Sequence, residues 1–244
     1  MEALIVNVRL NSLFSITLPF SWQSALIYPL MPSSAVIGML ANALQRYKDD
    51  KHPIEYLKML EDKIEWAGSR LLSPCVIKSY IMSAITKWED KLGKKFTNAL
   101  GRQFAFTKDI QVMAIFKETV PDDIIKSLTS APITCGDSES CATPITPPLI
   151  KTAIKENISE ESLINTAFPF PFEPDKFEGV SGKGIVYMIH ERCIKKGKSF
   201  PLNSYIFPIR EKEGIIEPDV ITIKCKKDTN IITVEDIGII ILKK

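Results

Sequence analysis

The sequence has little that marks a metal site, a disulfide framework or a hydrolase. Its five cysteines include no C-x-x-C pair, and its only histidines are His52 and His190, which disfavours structural zinc and disulfides. It also lacks a G-x-S-x-G elbow and a G-x-x-x-x-G-K-[ST] phosphate loop. We therefore expect no metal, no cofactor and no catalytic residue, and we interpret the cysteines as scattered thiols in a reducing compartment.

Charge is missing from one long segment. None of the 36 residues from Leu10 to Gln45 is charged, although 25% of the chain is, so this segment is buried in the core, against a partner or in lipid. The uncharged stretch Ala25 to Leu44 is long enough to span a bilayer, but Pro29 and Pro32 would break a spanning helix. The N-terminus also lacks the positive start of a secretory signal. We expect a soluble, cytoplasmic chain with no membrane contact.

The hydrophobic pattern predicts a strand, a loop and a helix at the start of the chain. Ala3 to Leu10 alternates as a half-buried strand, and apolar residues recur at helical spacing from Ser33 to Tyr47. Ser33 or Ser34 is the predicted N-cap. The free N–H groups at such a helix end can hold a phosphate, and an ordinary capped core helix is the alternative.

The remaining pattern predicts a mixed chain of helices and strands. The predicted elements are a helix over Pro53 to Ile64, strands over Val76 to Ile85 and Asp109 to Lys117, a short helix opened by Pro121, and a short strand near Ile133 to Cys135. This βαββαβ order is that of ferredoxin-like and RRM-like folds. Beyond about Asn157, short apolar runs between turn residues predict antiparallel β structure. We therefore predict an α+β fold, with an N-terminal domain over residues 1–155 and a β-rich C-terminal subdomain over residues 156–244.

Two segments could contact phosphates. Thr86 to Lys108 carries six bases against two acids, with aromatic residues interleaved, in a chain whose net charge is only +2. Bases neutralise phosphates and aromatic rings stack on nucleobases, so this mixture suits single-stranded RNA; a solvated charged loop is the alternative. The glycine-rich loop Phe177 to Gly184 could also approach a phosphate, but we interpret it as a turn before a strand.

Four short motifs, taken together and in order, resemble the CRISPR-associated protein 5 family, and most closely its archaeal type I-A form. They are the N-terminal strand, Pro32 to Leu40, Leu100 to Phe106 and Cys135 to Ser140. They anchor about the first 150 residues, while the C-terminal third matches only in being β-rich. The resemblance implies an RRM-like fold of the RAMP superfamily with a β-hairpin thumb around residues 80–110. It also implies a place at one end of the Cascade surveillance complex, capping its backbone filament and gripping the 5′ handle of the CRISPR RNA (crRNA).

The resemblance further implies partners and site residues. The partners would be the crRNA 5′ handle and the backbone and large subunits of Cascade, with target DNA reached indirectly through the complex. The implied RNA-binding residues are Ser33, Ser34, Gly38, Lys87, Trp88, Lys91, Lys94, Lys95, Arg102, Gln103, Phe104 and Lys108. Type I-C members cut pre-crRNA with Tyr, Lys and His, but no Lys-His pair follows the thumb segment here. We predict RNA binding without cleavage; the alternatives are a metal-independent endoribonuclease that processes pre-crRNA, and a purely structural interaction protein.

Overall fold

The computed structural model describes residues 1–21, 24–89, 94–137, 140–193 and 201–243. The helices are α1 (Ser33–Lys48), α2 (Pro53–Lys63) and α3 (Asp122–Ser130). The strands are β1 (Glu2–Leu10), β2 (Ser24–Ala25), β3 (Ile64–Leu71), β4 (Cys75–Glu89), β5 (Lys94–Thr107), β6 (Asp109–Phe116), β7 (Ile133–Thr134), β8 (Cys141–Pro144), β9 (Leu149–Ile158), β10 (Leu163–Thr166), β11 (Phe170–Pro171), β12 (Phe177–Ser181), β13 (Ile185–Ile189), β14 (Asn203–Phe207), β15 (Ile209–Lys212), β16 (Ile215–Pro218), β17 (Ile221–Cys225), β18 (Thr229–Val234) and β19 (Gly238–Ile241).

The central sheet has the order β19-β18-β9-β1-β6-β3, and β8 and β7 extend it beside the end of β1. β1 pairs antiparallel with β6 on one side and with β8 and β9 on the other, and β3 pairs antiparallel with β6. α1 packs on β3 and β6, and α2 and α3 pack on α1, so the helices cover one face of this sheet. The predicted mixture of helices and strands is confirmed.

Three strands of the central sheet, β3, β8 and β9, were not predicted. β3 (Ile64–Leu71) fills the edge position beside β6, whereas the prediction gave the second strand of the βαββαβ order to Val76 to Ile85, which belongs to a separate hairpin. The sequence of β3 carries Glu65, Gly68 and Arg70, which obscure its alternation. The short strand near Ile133 is confirmed, but it pairs with β8 rather than with β1.

The uncharged segment is buried mainly in the protein's own core. Tyr28, Leu30, Met31 and Leu40 are each at most 3% exposed, and they belong to the hydrophobic cluster between α1 and the central sheet. Full burial of such side chains contributes about 1.5–3 kcal/mol each. Phe20 is an exception, at 92% exposed with a φ of 63°. Among the described residues, no helix is long and apolar enough to cross a membrane.

The C-terminal part is built from strands, as predicted. In the part of the chain that the structure describes, every element after α3 is a strand. β18 pairs antiparallel with β9 from Thr229↔Ile158 to Val234↔Ala153, so this part extends the central sheet. Residue 155 falls inside β9, and the division into two domains there stays a prediction.

A long hairpin, β4–β5, is inserted between β3 and β6. Its pairs run from Cys75↔Thr107 to Glu89↔Lys94, with a register shift between Ile85 and Lys87. At about 3.3 Å per residue, the hairpin is roughly 45 Å long. β16 pairs with its first residues, and β2 pairs with β5 at Gly101 and Arg102. The hairpin predicted around residues 80–110 is confirmed, and it begins earlier, at Cys75.

Candidate nucleic-acid interface

The base of the β4–β5 hairpin has one buried and one exposed face. Side chains alternate across a strand, and Cys75, Ala105 and Thr107 on one face are fully buried. Ala105 also exchanges two backbone hydrogen bonds with Phe14 of the uncharged segment. The body of the protein therefore holds the hairpin base firmly and leaves the opposite face open.

The open face collects aromatic and basic side chains, and we call it the hairpin face. Its members are Lys78, Tyr80, Arg102, Phe104 and Phe106, which the register places side by side. Tyr80 meets Phe104 edge to face at 5.7 Å between ring centroids, and the Arg102 guanidinium lies 4.7 Å from the Phe104 centroid. Tyr80 is 50% and Phe106 54% exposed. Exposed rings beside cations are suited to stacking nucleobases and holding phosphates.

Arg102 is also bound to the protein itself. Its Nη2 donates a 2.7 Å hydrogen bond to Oδ2 of Asp137, and its Nε donates to Oγ of Ser15 at 3.4 Å. Asp137 follows Gly136, whose φ is +100° and whose position would bring a Cβ within 2.4 Å of Ile16. Only glycine fits this turn without strain. The turn motif near Cys135 thus positions a carboxylate that orients Arg102.

The other predicted hairpin residues occupy three kinds of position. Gln103 points to the body, where its Oε1 accepts a hydrogen bond from the Ile27 N–H at 3.3 Å. Lys108 is exposed at the hairpin base. Four predicted residues, Lys87, Trp88, Lys94 and Lys95, lie on the outer strand pairs, where the structure describes the backbone. The fifth, Lys91, lies outside the described residues.

The start of α1 differs from the prediction. Pro32 is the N-cap, because its carbonyl accepts the first helical bond from the Val36 N–H at 3.1 Å. Among the described residues, no side chain caps this end. Ser33 is only 8% exposed, so its hydroxyl is packed inside the protein. The Ser34 N–H donates to the His190 carbonyl at 3.3 Å. The predicted serine N-cap is therefore wrong, and one N–H that could have met a phosphate is already bonded.

A cavity of about 600 Å³ opens beside the first turns of α1. It brings together distant parts of the chain, and two of its residues, Ser15 and Asp137, are also the partners of Arg102. Its wall consists of Ser15, Ile16, Thr17, Ser34, Ala35, Gly38, Met39, Asn42, Arg46, Thr134, Gly136, Asp137, His190, Arg192 and Cys193. The cavity therefore adjoins the hairpin face.

Gly38 leaves this wall without a side chain. A Cβ built there would have no atom of a described residue within 4 Å, although glycine inside a helix costs about 1 kcal/mol relative to alanine. A second cavity, of about 360 Å³, lies on the other side of Gly38 and Asn42, towards α2. We call the two cavities together the α1 groove. Bare backbone at its centre lets a ligand approach α1 closely.

Two arginines give the α1 groove positive charge. Nη1 of Arg46 donates to the Pro132 carbonyl at 3.0 Å, and the terminal nitrogens of Arg192 donate to the carbonyls of Glu61 and Glu65 at 3.3 and 3.2 Å. A carbonyl orients a guanidinium without cancelling its charge. Both arginines are therefore positioned to attract an anion.

The environment of the thiol in the groove disfavours its thiolate form. Burial, with the nearby Glu61 carboxylate, raises the pKa of Cys193 to about 12, and its Sγ donates to the Ser34 carbonyl at 3.1 Å. Thiolates rather than thiols attack substrates. Cys193 therefore contributes packing and a hydrogen bond to the groove.

Most of the glycine-rich segment is strand β12 (Phe177–Ser181), and the turn interpreted from the sequence is confined to Gly182 to Gly184. Gly182 has a φ of +86°, and a Cβ there would lie 2.2 Å from the Val220 carbonyl oxygen. The Lys183 N–H donates to Oδ2 of Asp219 at 3.2 Å. The loop therefore joins β12 to β13 and does not line the α1 groove.

Comparison with family models gives no match, and comparison with curated proteins gives none either. Among solved structures, a CRISPR protein from Archaeoglobus fulgidus is similar, with a TM-score of 0.62 and 15% identity over 98% of each chain. The two chains share a fold. A type III-B Cmr-beta structure bound to cognate target RNA and AMPPnP matches with a TM-score of 0.46 and 12% identity, over 91% of this chain and 86% of that one. The second score is too low to establish a common fold.

Sequence reasoning missed several residues of this interface. Arg46 was detectable, because Ser34, Gly38, Asn42 and Arg46 recur every four residues and so share one side of α1. Tyr80 was also detectable, because it lies two residues after Lys78 on a strand and therefore shares a face of the strand with that base. Arg192 and His190 had no such signal, since only the fold brings β13 beside the start of α1. The predicted RNA-binding residues themselves stay predictions.

Proposed function

We propose that this chain is an RNA-binding subunit of a CRISPR effector complex. The observation that carries the proposal is the junction at Arg102 and Asp137, where the hairpin face meets the α1 groove. Aromatic rings on one side and arginines on the other form one continuous surface for a single-stranded nucleic acid. The fold shared with the Archaeoglobus CRISPR protein supports this assignment.

The surface suggests how RNA would bind. Tyr80 and Phe104 offer ring edges and faces for stacking, which is worth about 1–3 kcal/mol per base. Arg46 and Arg192 offer charge-assisted hydrogen bonds for phosphates. The bare backbone at Gly38 offers room for a sugar or base against α1. Phosphate contacts would position the RNA and the rings would stack on its bases. This combination suits a short, unpaired RNA end.

At the finer level, we propose that the RNA is the crRNA 5′ handle and that the complex is a type I Cascade. β9-β1-β6-β3 with α1 and α3 would be the ferredoxin-like core of a RAMP protein, and β4–β5 would be its thumb. The sequence motifs that resemble the CRISPR-associated protein 5 family include both Gly38 and Arg102. The chain would then cap the backbone filament and contact the large subunit.

We further propose that the chain does not cut its RNA. Acid-base cleavage needs a group that exchanges protons near neutral pH, whereas Cys193 keeps its proton and burial raises the pKa of Tyr28. One observation favours the endoribonuclease alternative: His190 lines the α1 groove, and its Nδ1 lies 2.7 Å from the Pro201 carbonyl. Because a carbonyl only accepts, Nδ1 is the donor in this contact, and the contact orients the imidazole ring within the groove.

The test is binding of the purified chain to labelled 5′-handle RNA and to a scrambled RNA across a salt series, with EDTA present. We expect tighter binding to the handle and intact RNA. A triple variant, Arg102→Ala with Lys94→Ala and Lys95→Ala, should bind more weakly and with a flatter salt dependence. Cleavage in EDTA that disappears in His190→Ala would establish the endoribonuclease alternative instead, and equal affinity for both RNAs would refute handle recognition by the isolated chain.

A further inference from the structure

The face of the central sheet opposite the helices carries a row of polar side chains. Asn7 on β1, Gln111 on β6 and Arg70 on β3 stand opposite one another in register. Nε2 of Gln111 donates to Oδ1 of Asn7 at 2.8 Å, and the Arg70 guanidinium lies 4.9 Å from the ring centroid of Phe168. We call these three residues the polar row. It lies on the other side of the sheet from α1, on strands of the central sheet rather than on the β4–β5 hairpin.

Arg70 has no counter-ion among the residues that the structure describes. In the described ranges, no residue gives it an ion pair or a hydrogen bond, and its buried Nε and the buried Oε1 of Gln111 have no partner. The terminal nitrogens of Arg70 are not among the buried atoms, so they reach the surface. The neighbouring acid, Asp109, is already paired with Arg9 at 3.3 Å.

A partly buried cation without an anion disfavours folding. Burial also lowers the pKa of the Arg70 guanidinium, because loss of solvent disfavours its charged form. Stacking on Phe168 offsets only part of that cost. Stability therefore does not account for an arginine at this position, whereas a ligand that brings an anion to its terminal nitrogens does.

Exposed aliphatic side chains border the polar row. Leu72 and Ile145 are each 42% exposed and Leu149 is 47% exposed. The Leu72 N–H bonds the Asp109 carbonyl, the Ile145 N–H bonds the Asn7 carbonyl, and Leu149 stands opposite Ile5 on β1. From β3 to β9 the face spans three strand spacings, roughly 14 Å.

This combination favours a protein over a nucleic acid as the partner. Arginine anchors surrounded by apolar side chains are typical of protein interfaces, and exposed apolar patches mark them. A nucleic acid would need rings on which bases could stack, but Phe168, which lies under Arg70, is only 1% exposed. A carboxylate, in contrast, fits a guanidinium through two parallel hydrogen bonds.

We propose that this sheet face docks another protein subunit, which places an aspartate or glutamate against Arg70 and covers Leu72, Ile145 and Leu149 with apolar side chains. The inference rests on the proposed function in one respect: the partner is a subunit of the same ribonucleoprotein complex. It adds a docking surface that is separate from the RNA-binding surface.

The first test is the stability of the isolated chain. Arg70→Met keeps the packing on Phe168 and removes the charge, so we expect a urea midpoint equal to or above that of the wild type. Arg9→Met is the matched control, because that arginine lies on the same face but is paired with Asp109. A clear fall in the midpoint for Arg70→Met alone would make Arg70 a structural residue and overturn the proposal.

The second test is assembly. The tagged chain is co-expressed with the other protein subunits encoded in its CRISPR locus, and their recovery is compared among the wild type, Arg70→Met, Arg70→Glu and Arg9→Met. We expect at least tenfold less recovered partner for both Arg70 variants, and unchanged RNA affinity for the isolated chain. Undiminished recovery would overturn the proposal, as would a wild-type chain that recovers no subunit.

A tenfold loss of RNA affinity in Arg70→Met would also overturn it, because the anion would then be a phosphate. The two proposals fail in different ways. If the wild-type chain does not bind RNA, the proposed RNA-binding function is refuted, while subunit recovery still reports on the docking face.

Discussion

Arg102 and Asp137 form a 2.7 Å ion pair at the junction between the hairpin face and the α1 groove. Their side chains are 32% and 22% exposed, so solvent screens the pair and it is weaker than a buried one. If this surface binds RNA as proposed, a phosphate that approaches Arg102 would compete with this carboxylate. Asp137 would then moderate the RNA affinity of the surface while it holds the guanidinium in place.

Removal of this carboxylate should strengthen RNA binding. We expect Asp137→Asn to raise the affinity for single-stranded RNA several-fold and to steepen the plot of log affinity against log salt by about 0.7, the value of one phosphate contact. Fluorescence anisotropy across a salt series measures both. In an Arg102→Ala background the same change should have no effect, and an effect that persists there would show that Asp137 acts on another cation.

Gly38 allows stability and binding to be separated. Because no atom lies near its missing Cβ, Gly38→Ala should stabilise the fold by about 1 kcal/mol through helix propensity. Gly38→Leu should still fold but fill the α1 groove, with a loss of RNA affinity of about tenfold, or ~1.4 kcal/mol. Urea unfolding and anisotropy measure the two effects.

The matched control for this experiment is Gly179→Leu. Gly179 also has open space around its missing Cβ, but it lies on β12, away from the groove. It should leave RNA affinity unchanged. Equal losses in the two leucine variants would show that the effect of Gly38→Leu is not local.

Neighbouring residues on β4 provide a test of stacking. Tyr80 belongs to the hairpin face, whereas Ile81 points to the other face and is 81% exposed. We expect Tyr80→Ala to cost about 1–3 kcal/mol of RNA binding, the range for one stacked base. Ile81→Ala should cost nothing measurable in the same anisotropy assay. The reverse ranking would place RNA on the opposite face of the hairpin.

The two buried thiols of Cys75 and Cys135 should make the folded chain less stable at alkaline pH. Burial raises the pKa of Cys75 and of Cys135 to about 12, from an ordinary value of 9.0. The folded chain thus retains protons that the unfolded chain releases, so this contribution is complete below pH 9.0 and is lost as pH rises towards 12. The loss is at most about 1.4 kcal/mol per thiol for each pH unit.

Urea unfolding at neutral and alkaline pH measures this slope. Cys135→Val should flatten it, because the titrating group is removed and its volume is nearly kept. Cys141→Ser, at an exposed position, should leave the slope unchanged. A slope that is the same in all three proteins would assign the alkaline loss to other groups.

Much of the fold could be predicted because its elements have regular patterns. The periodicity of α1 and the alternation of β1 and β6 are uninterrupted, so local sequence specifies them. β3 was missed because Gly68 and Arg70 interrupt its apolar face, and only its neighbours in the sheet fix it as a strand. The serine N-cap was wrong because the carbonyl of Pro32 already accepts the first helical bond.

The candidate site was less predictable than the fold. The aromatic and basic composition near Phe104 marked this segment as a candidate for RNA binding, whereas the hairpin itself was predicted from the family resemblance. The α1 groove depends on residues more than 150 positions apart, such as Ser34 and Arg192, which meet only through tertiary packing. The ion pair of Arg102 likewise depends on a turn that follows β7 and was recognised as a motif without an assigned contact.

The length of the β4–β5 hairpin should affect the rate at which RNA associates. Outward from Met82↔Leu100, its strands pair only with each other in the part of the chain that the structure describes. The backbone of the outer pairs, which include Lys87, Lys94 and Lys95, lies further along the hairpin from the α1 groove. An RNA that diffuses towards the protein would meet these lysines first, so they would set the association rate constant and its sensitivity to salt. The residence time of the RNA would instead be determined in the groove, where Arg46, Arg192 and the open backbone of Gly38 would contact it.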